Sequence, residues 1–356
     1  MKTQNKPTNQ PRRCRPLRVE NDDTLWFITS RTIEERFWLH PLLTSAFKPA
    51  NRKARRLCER LERRVDKRLE KLVNRANSMR GPMQPILTFR DAKRIIRGTV
   101  GSAIARAQQK YGTRLFCLVT MSNHIQLMAK TKGKNLSKFM GYVKARIAET
   151  INLLTGKRGP LWSRRYDAQP VLDDQAAADR LGYCLDNPVD ASLVETPDSW
   201  PGLNFAFGMG ESDAMEFEYL DRTAWHKAGR PTKLDAFFRT ATLRLSALPQ
   251  LEGVERSLVR QSINSWLGRR TESRDKSRAV LGIDGIFNTA FESRPANPKR
   301  SRRPYAFGSK DNKSKYYQSV SILYQVYFEA SERFRSGQYD VSFPAGMYRP
   351  VISIAS

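Results

Sequence analysis

The chain has 356 residues, enough for one large domain or two modest ones, and with 40% hydrophobic and 10% aromatic residues it can bury a core. Lys and Arg number 63 against 35 Asp and Glu, a formal charge of +28, which attracts polyanions and repels cationic partners. No apolar run approaches the roughly 18 residues that span a bilayer. The cysteines, Cys14, Cys58, Cys117 and Cys184, show neither zinc-ligand spacing nor a disulfide framework. Nucleic acid is the commonest partner for such a charge, through neutralised phosphates and released counterions; a ribosomal-type or merely soluble basic protein is the bland alternative. The opening MKTQNKPTNQPRRCRPLR lacks the apolar stretch of a secretory leader. The expected setting is soluble, reducing and intracellular.

In chain order, residues 1–20 are polar, basic and proline-containing, the composition of a disordered arm. TLWFITSRT (24–32) predicts a strand. A basic insertion follows at about 33–80, within which Leu57, Leu61, Val65, Leu69 and Val73 recur four apart, as on an amphipathic helix. Its Lys- and Arg-rich face is either solvated or laid on nucleic acid. After GPMQP a helix is expected from Phe89 to about Gln109. TRLFCLVTM (113–121) reads as a buried strand, and a tight turn at Ser122–Asn123 leads into HIQLMAK, closing a hairpin. LSKFMGYVKARIAETINLL (136–154) carries apolar residues at a helical period and ends at GKRGPLW. DAQPVL is an extended piece that Pro170 confines to a sheet edge. Asp173 or Asp174 then caps a helix that should stop near Asn187, because Pro188 disfavours helical backbone in the residue before it.

This order of elements predicts an α+β fold: a ferredoxin-like βαββαβ sheet with helices on one face, a helix appended at its C-terminal end and a helical insertion after the first strand. The domain would cover residues 21–205. Residues 206–356 read as a mostly helical basic extension, with helices expected in GRPTKLDAFFRTATLRLSAL (229–248), LVRQSINSWLG (258–268) and VSILYQVYFEASERFRSG (320–337). NPKRSRRPYAFGSKDNKSKYY (297–317) reads as a basic loop with interleaved aromatics. AGRP (228–231) is a partial minor-groove hook, with Ala228 in place of its first arginine.

Two short stretches can carry chemistry. Strand side chains alternate, so His124, Gln126 and Met128 share one face, with the first two roughly 7 Å apart at Cα. An imidazole nitrogen beside a carboxamide oxygen can hold a divalent cation, weakly unless a third ligand joins; alone the pair is not specific, since a damaged metal site or an ordinary polar pair, common on half-exposed strands, has the same pattern. In RLGYCLDNPV (180–189), Ala177, Ala178, Leu181, Cys184 and Leu185 make the apolar stripe. Tyr183 falls off that stripe, and Asn187, four residues on, shares its face. Such a tyrosine is either a nucleophile or one more exposed tyrosine. His40 and His226 have no partner at a recognisable spacing.

The run LFCLVTMSNHIQLMA followed by a helix, then GPLWSRRYDAQPV, then LGYCLDNPVDASLV, together with the opening WFITSRT, resembles the REP-associated tyrosine transposases, which are single-tyrosine HUH nucleases. The resemblance covers about residues 24–205. It implies a ferredoxin-like fold, single-stranded or hairpin DNA as partner, and monomers or homodimers as assemblies. It also implies that Tyr183 attacks phosphorus to give a 5′-phosphotyrosine and a free 3′-OH, a step that a second 3′-OH can reverse. Mg²⁺ or Mn²⁺ would sit on His124 and Gln126, with Asn187 as third ligand. A phenol, with an ordinary pKa of roughly 10, needs such a metal or a base to lose its proton. The family pattern is His-x-His, whereas this chain has His124-Ile125-Gln126; glutamine keeps an oxygen donor. The departure leaves two alternatives: an active transposase, or a hairpin-DNA-binding protein of the same fold whose metal site has decayed. An RNA-binding protein unrelated to cleavage explains the charge but not the motif order. Arg31, Lys130, Lys132, Lys134, Lys144, Arg146, Arg164 and Arg165 surround the site in sequence and would grip phosphates. Trp162 and Tyr166 would stack unpaired bases, with a core or lid role as the alternative for Trp162.

Overall fold

Alternation in LWFITSR gives β1 (Leu25–Arg31) two faces to bury, which places it inside the sheet rather than at an edge. In the computed structural model, which describes residues 24–44, 52–80, 86–133, 135–209, 212–272, 279–295, 306–344 and 349–350 and no side chains for 52–62 and 64, two compact units are present. One spans Asp22–Phe307; the other comprises Met1–Asn21 and Gly308–Ser356. The larger unit therefore takes in the first part of the segment expected as an extension. Its elements after β1 are α1 (Pro41–Thr44), α2 (Arg52–Ser78), α3 (Phe89–Tyr111), β2 (Arg114–Met121), β3 (His124–Lys130), α4 (Leu136–Thr155) and β4 (Asp167–Val171). Then come α5 (Asp174–Asp190), β5 (Asn204–Ala206), β6 (Ala214–Leu220), α6 (Arg222–Lys227), β7 (Phe238–Arg244), α7 (Arg256–Glu272) and α8 (Gly282–Asn288).

The main sheet is antiparallel, in the order β4-β1-β3-β2-β5. On one face Trp26, Ile28, Leu118, Ile125, Leu127 and Ala129 meet α3 and α4, through residues such as Val100, Ile104, Phe139, Val143 and Ile147. On the other face Phe27, Cys117, Val119 and Met128 meet α5 through Ala177, Leu181, Cys184 and Leu185. Each fully covered Leu, Ile or Phe contributes roughly 1.5–3 kcal/mol relative to exposure, so both helix layers are fixed to the sheet. Thr88 accepts from Asp91 N to start α3, and Gly112, at φ 59°, ends it. Asp173 does the same for α5, accepting from Ala176 N. No described helix is long and apolar enough to cross a membrane.

Three expectations are corrected. First, α5 does not stop at Asn187 but runs to Asp190 with Pro188 inside it. Proline's fixed φ is itself helical; buried Pro188 and Val189 and the return bond from Ala191 N to Asn187 O hold the last turn. Second, 229–248 is not a helix. It forms β7, paired antiparallel with β6. Phe238, Ala241 and Leu245 fit a helical stripe, but Thr240 and Thr242 favour extended backbone, and AMEFEYL supplies a partner strand. Gly98 and Gly101 let α3 lie directly on this hairpin: a Cβ at Gly98 would strike the Glu218 carbonyl, and one at Gly101 the Phe217 ring. Third, the last part of the supposed basic loop is helical. In the smaller unit α9 (Lys310–Arg335) begins with Ser309 accepting from Asn312 N. Within that unit the ring of Phe334 meets those of Tyr339 and Phe343 edge-on. The arm at 1–20, Lys134, residues 297–305 and the side chains of Leu57 and Leu61 lie outside the described residues.

Candidate functional site

Register places the sequence-derived residues in rows across the α5 face of the sheet. Phe27 faces Met128, Thr29 faces Gln126, and Arg31 faces His124. On the other side of β3, Val119 faces Gln126 and Met121 faces His124. His124 and Gln126 are buried at 7% and 3% exposure, so they do not form a half-exposed polar pair. Their cover is α5. Asn187 Nδ2 donates to Gln126 Oε1 at 2.9 Å. Cys184, one turn earlier, lies with its Sγ 3.9 Å from the Gln126 carbonyl. His124 Nδ1 is 2.6 Å from Asn123 Oδ1, which holds the imidazole against the turn.

Tyr183 is half-buried on the same helix. Its ring meets Phe27 edge-on, with centroids 6.0 Å apart, which puts it over the row next to Thr29 and Gln126. The Arg180 guanidinium lies 4.9 Å from the Tyr183 centroid and 4.4 Å from that of Phe307, and burial lowers its pKa. Phe307 is itself bound to the sheet edge, donating from N to the Pro170 carbonyl and accepting from Leu172 N. One helix face therefore presents a carboxamide to the strand that carries an imidazole and a second carboxamide, and a phenol to the neighbouring strand β1.

The flank of α5 is clamped by α7. Arg270 Nε donates to Asp186 Oδ2 at 2.6 Å and its Nη2 to Asp190 Oδ2 at 3.0 Å, while Asp186 is fully buried. Trp266 lies so close to Gly182 that a Cβ there would overlap the indole. Residues 182 and 186 immediately precede Tyr183 and Asn187, so this clamp sets the rotation of the helix. Nothing at short sequence range signals it. Arg180, three residues before Tyr183, was legible as a helical neighbour and was missed.

The basic residues do not form one group. Arg31 stands across from His124, half-buried, its Nε without a hydrogen-bond partner among the described residues. The loop after α4 is bound to the same sheet end, with Ile33 N donating to Leu161 O and Ser163 N to Arg31 O. That loop brings Arg164, bridged to Asp167 at 3.3 Å, and Arg165, whose guanidinium lies 5.5 Å from the Tyr166 centroid. Lys144 Nζ donates to the Arg164 carbonyl at 2.6 Å; burial, and then Arg165, push its pKa down to about 8. Arg146 pairs with Glu149 instead. Lys130 ends β3, six residues from His124 and so about 20 Å away along the strand, and Lys132 lies in the exposed loop beyond it. Tyr166 is only 5% exposed and bonds Ser137, so it offers no face for stacking. Trp162 is half-buried, with its N–H on the Lys144 carbonyl and the Lys144 ammonium 5.5 Å from the ring centroid.

Among the described residues no three His, Cys, Asp or Glu come together as a metal group. The donor set on the α5 face is neutral: one imidazole nitrogen and two amide oxygens. It suits a hard divalent cation only when an anionic phosphate completes the shell, and the Gln126 oxygen already accepts one bond from Asn187. Cys117 and Cys184 are buried free thiols, and desolvation, with Cys117 alongside, pushes the Cys184 pKa well up. They contribute packing rather than nucleophilicity.

No protein-family model matches the chain, and no curated protein matches it. Among solved structures the chain is similar to a REP-associated tyrosine transposase bound to a REP hairpin. The TM-score is 0.31 and the identity 12%, over 53% of this chain and 81% of that one. A TM-score of that size establishes neither fold nor activity.

Proposed function

We propose that the chain binds single-stranded or hairpin DNA and cuts and rejoins it through Tyr183, on a ferredoxin-like platform of the kind used by REP-associated tyrosine transposases. The observation that carries this reading is the seating of α5: Asn187 bonds Gln126, and Tyr183 rests on Phe27, over the sheet face that holds His124. The order β4-β1-β3-β2, all antiparallel, supports the ferredoxin-like assignment.

In the proposed step the Tyr183 phenol loses its proton and its oxygen attacks phosphorus. The P–O3′ bond breaks, the departing oxygen is protonated to a 3′-OH, and the 5′-phosphate remains on the tyrosine. Attack by the 3′-OH of a second strand reverses the step, so strands are joined without net hydrolysis. The phenolate is a good enough leaving group for this return. Arg180 beside the ring stabilises negative charge on the phenol oxygen, and Arg31, with Arg164 and Arg165 from the adjoining loop, supplies cations for the backbone. His124, Gln126 and Asn187 would hold Mg²⁺ or Mn²⁺, which when bound neutralises charge on the scissile phosphate.

A second reading, tight DNA binding without cleavage, is favoured by the same Gln126–Asn187 hydrogen bond, because it takes one of the two lone pairs of an oxygen the cation would use. A labelled single-stranded hairpin incubated with Mn²⁺ separates the two. The first reading expects a detergent-resistant adduct with the native chain, none with Tyr183→Phe, and more with Gln126→His. Hairpin binding with no adduct in any metal leaves the second.

A further inference from the structure

On the opposite side of the sheet from α5, the basic insertion borders a half-open cavity of about 430 Å³. That volume is within the range of roughly 300–1,000 Å³ found for small-ligand sites. Its wall is unusual in charge: Arg68, Lys71 and Arg75 from α2 and Lys157 after α4 face one carboxylate, Glu292. Two aromatic residues, Trp38 and Phe291, also line it, with Leu72, Met79, Thr155 and Ala290. The Lys157 ammonium lies 5.5 Å from the Trp38 centroid, and the Arg68 guanidinium 5.7 Å from that of Phe291.

Two buried donors lack acceptors among the described residues. Trp38 is 8% exposed and its indole N–H has no partner. Arg68 gives Nη2 to the Thr289 carbonyl at 3.1 Å but leaves Nη1 buried with none. Burial lowers the pKa of both Arg68 and Lys157. A buried donor without an acceptor is costly, and an excess of cations around one hollow favours an anion there. The wall is also held in place from several sides. Phe37 N donates to the Ser293 carbonyl, Arg36 Nη1 to that of Glu292, and the His40 ring meets Phe291 edge-on at 5.4 Å. Leu39 N donates to the Ser122 carbonyl, which ties this segment to the turn preceding His124.

We infer that this cavity binds one phosphorylated nucleotide, its phosphate taken by the α2 cations and Lys157 and its base set against Trp38 and Phe291. The chemistry is shared by a free nucleoside monophosphate and by a terminal nucleotide of an unpaired strand; a duplex is too wide for the volume. The inference does not rest on the role of Tyr183.

The test uses the full chain in about 150 mM salt with a chelator, so that no strand cleavage contributes. Binding of thymidine 5′-monophosphate is measured directly, as is that of a labelled five-residue thymidine oligonucleotide with and without a 5′-phosphate. Lys71→Ala with Arg75→Ala, both at exposed positions, should weaken the phosphorylated probe tenfold or more. Lys227→Ala with Lys233→Ala, the same loss of charge at exposed positions outside the cavity, should weaken it less than twofold. Trp38→Phe, which keeps a ring and removes the N–H, should lose several-fold with an unchanged melting profile. Binding of the monophosphate assigns a free nucleotide, and binding of the phosphorylated oligonucleotide alone assigns a strand end; either supports the site. Equal losses in the two charge variants, or inorganic phosphate competing as well as the monophosphate, would overturn it.

Discussion

Lowering the pH should destabilise the larger unit through a single buried histidine. His40 is fully buried. Leu42 N donates to its Nδ1 at 3.0 Å, so that nitrogen is an acceptor and Nε2 carries the hydrogen, given to the Ile286 carbonyl at 2.7 Å. Protonation would point a second N–H at the Leu42 amide in a site closed to solvent. Desolvation, with a smaller contribution from Arg68, accordingly lowers the pKa from 6.5 to about 4 against the opposing Ile286 bond. Between those values the unfolded chain binds a proton that the folded chain refuses. The contribution is therefore complete above about pH 6.5 and is lost as pH falls toward 4. At 1.36 kcal/mol per unit the whole window is worth about 3 kcal/mol, and the part down to pH 5 about 2 kcal/mol. Urea unfolding followed by tryptophan fluorescence at pH 7 and pH 5 measures it. The native chain should lose about 2 kcal/mol more than His40→Gln over that interval. Parallel losses in the two proteins would refute the buried-neutral assignment.

Two further perturbations probe the framework that seats the site. Gly98→Ala should cost about 3 kcal/mol or more, since the new methyl meets the Glu218 backbone rather than a movable side chain; Gly141→Ala, with open space around it, should be neutral or stabilising by up to about 1 kcal/mol. Comparing their melting temperatures tests the contact of α3 with the β6–β7 hairpin. Arg270→Ala strands the buried Asp186 carboxylate and should cost about 2 kcal/mol, below the roughly 3–5 kcal/mol of fully buried pairs because the Arg270 side chain is 37% exposed. Arg270→Lys should recover part of that loss in denaturant unfolding, and full stability in the alanine variant would remove the clamp from the account.

Much of residues 25–190 was legible because its periods are clean. Period two in LWFITSR and HIQLMAK assigns His124, Gln126 and Phe27 to one side of the sheet, and the spacing of Leu181, Cys184 and Leu185 turns α5 onto that side. Where two periods overlap, reading fails: Phe238 and Ala241 sit as well on a helix as on β7, and only the partner strand decides. Pro188 misled because its steric rule is a bias that burial can overcome. Sequence proximity also misplaced charges. Lys130 is six residues from His124, yet a strand carries it to the far end of the sheet, whereas the separate 161–165 loop returns Arg164 and Arg165 to the near end. The Asp186–Arg270 clamp joins residues 84 apart, and the cavity gathers residues 38, 68, 157 and 291, none of which is distinctive alone. Buried His40 had no sequence signal because both its partners are backbone atoms.

The phenol on α5 and the polar pair on β3 are proposed to act on one phosphate. Mass spectrometry of the protein after incubation with a hairpin strand, Mn²⁺ and nuclease trimming addresses it directly. A nucleotide phosphate is expected on the peptide containing Tyr183, abolished by His124→Ala while the hairpin remains bound. A phosphate adduct on any other residue, or an undiminished Tyr183 adduct in the His124→Ala protein, would contradict it.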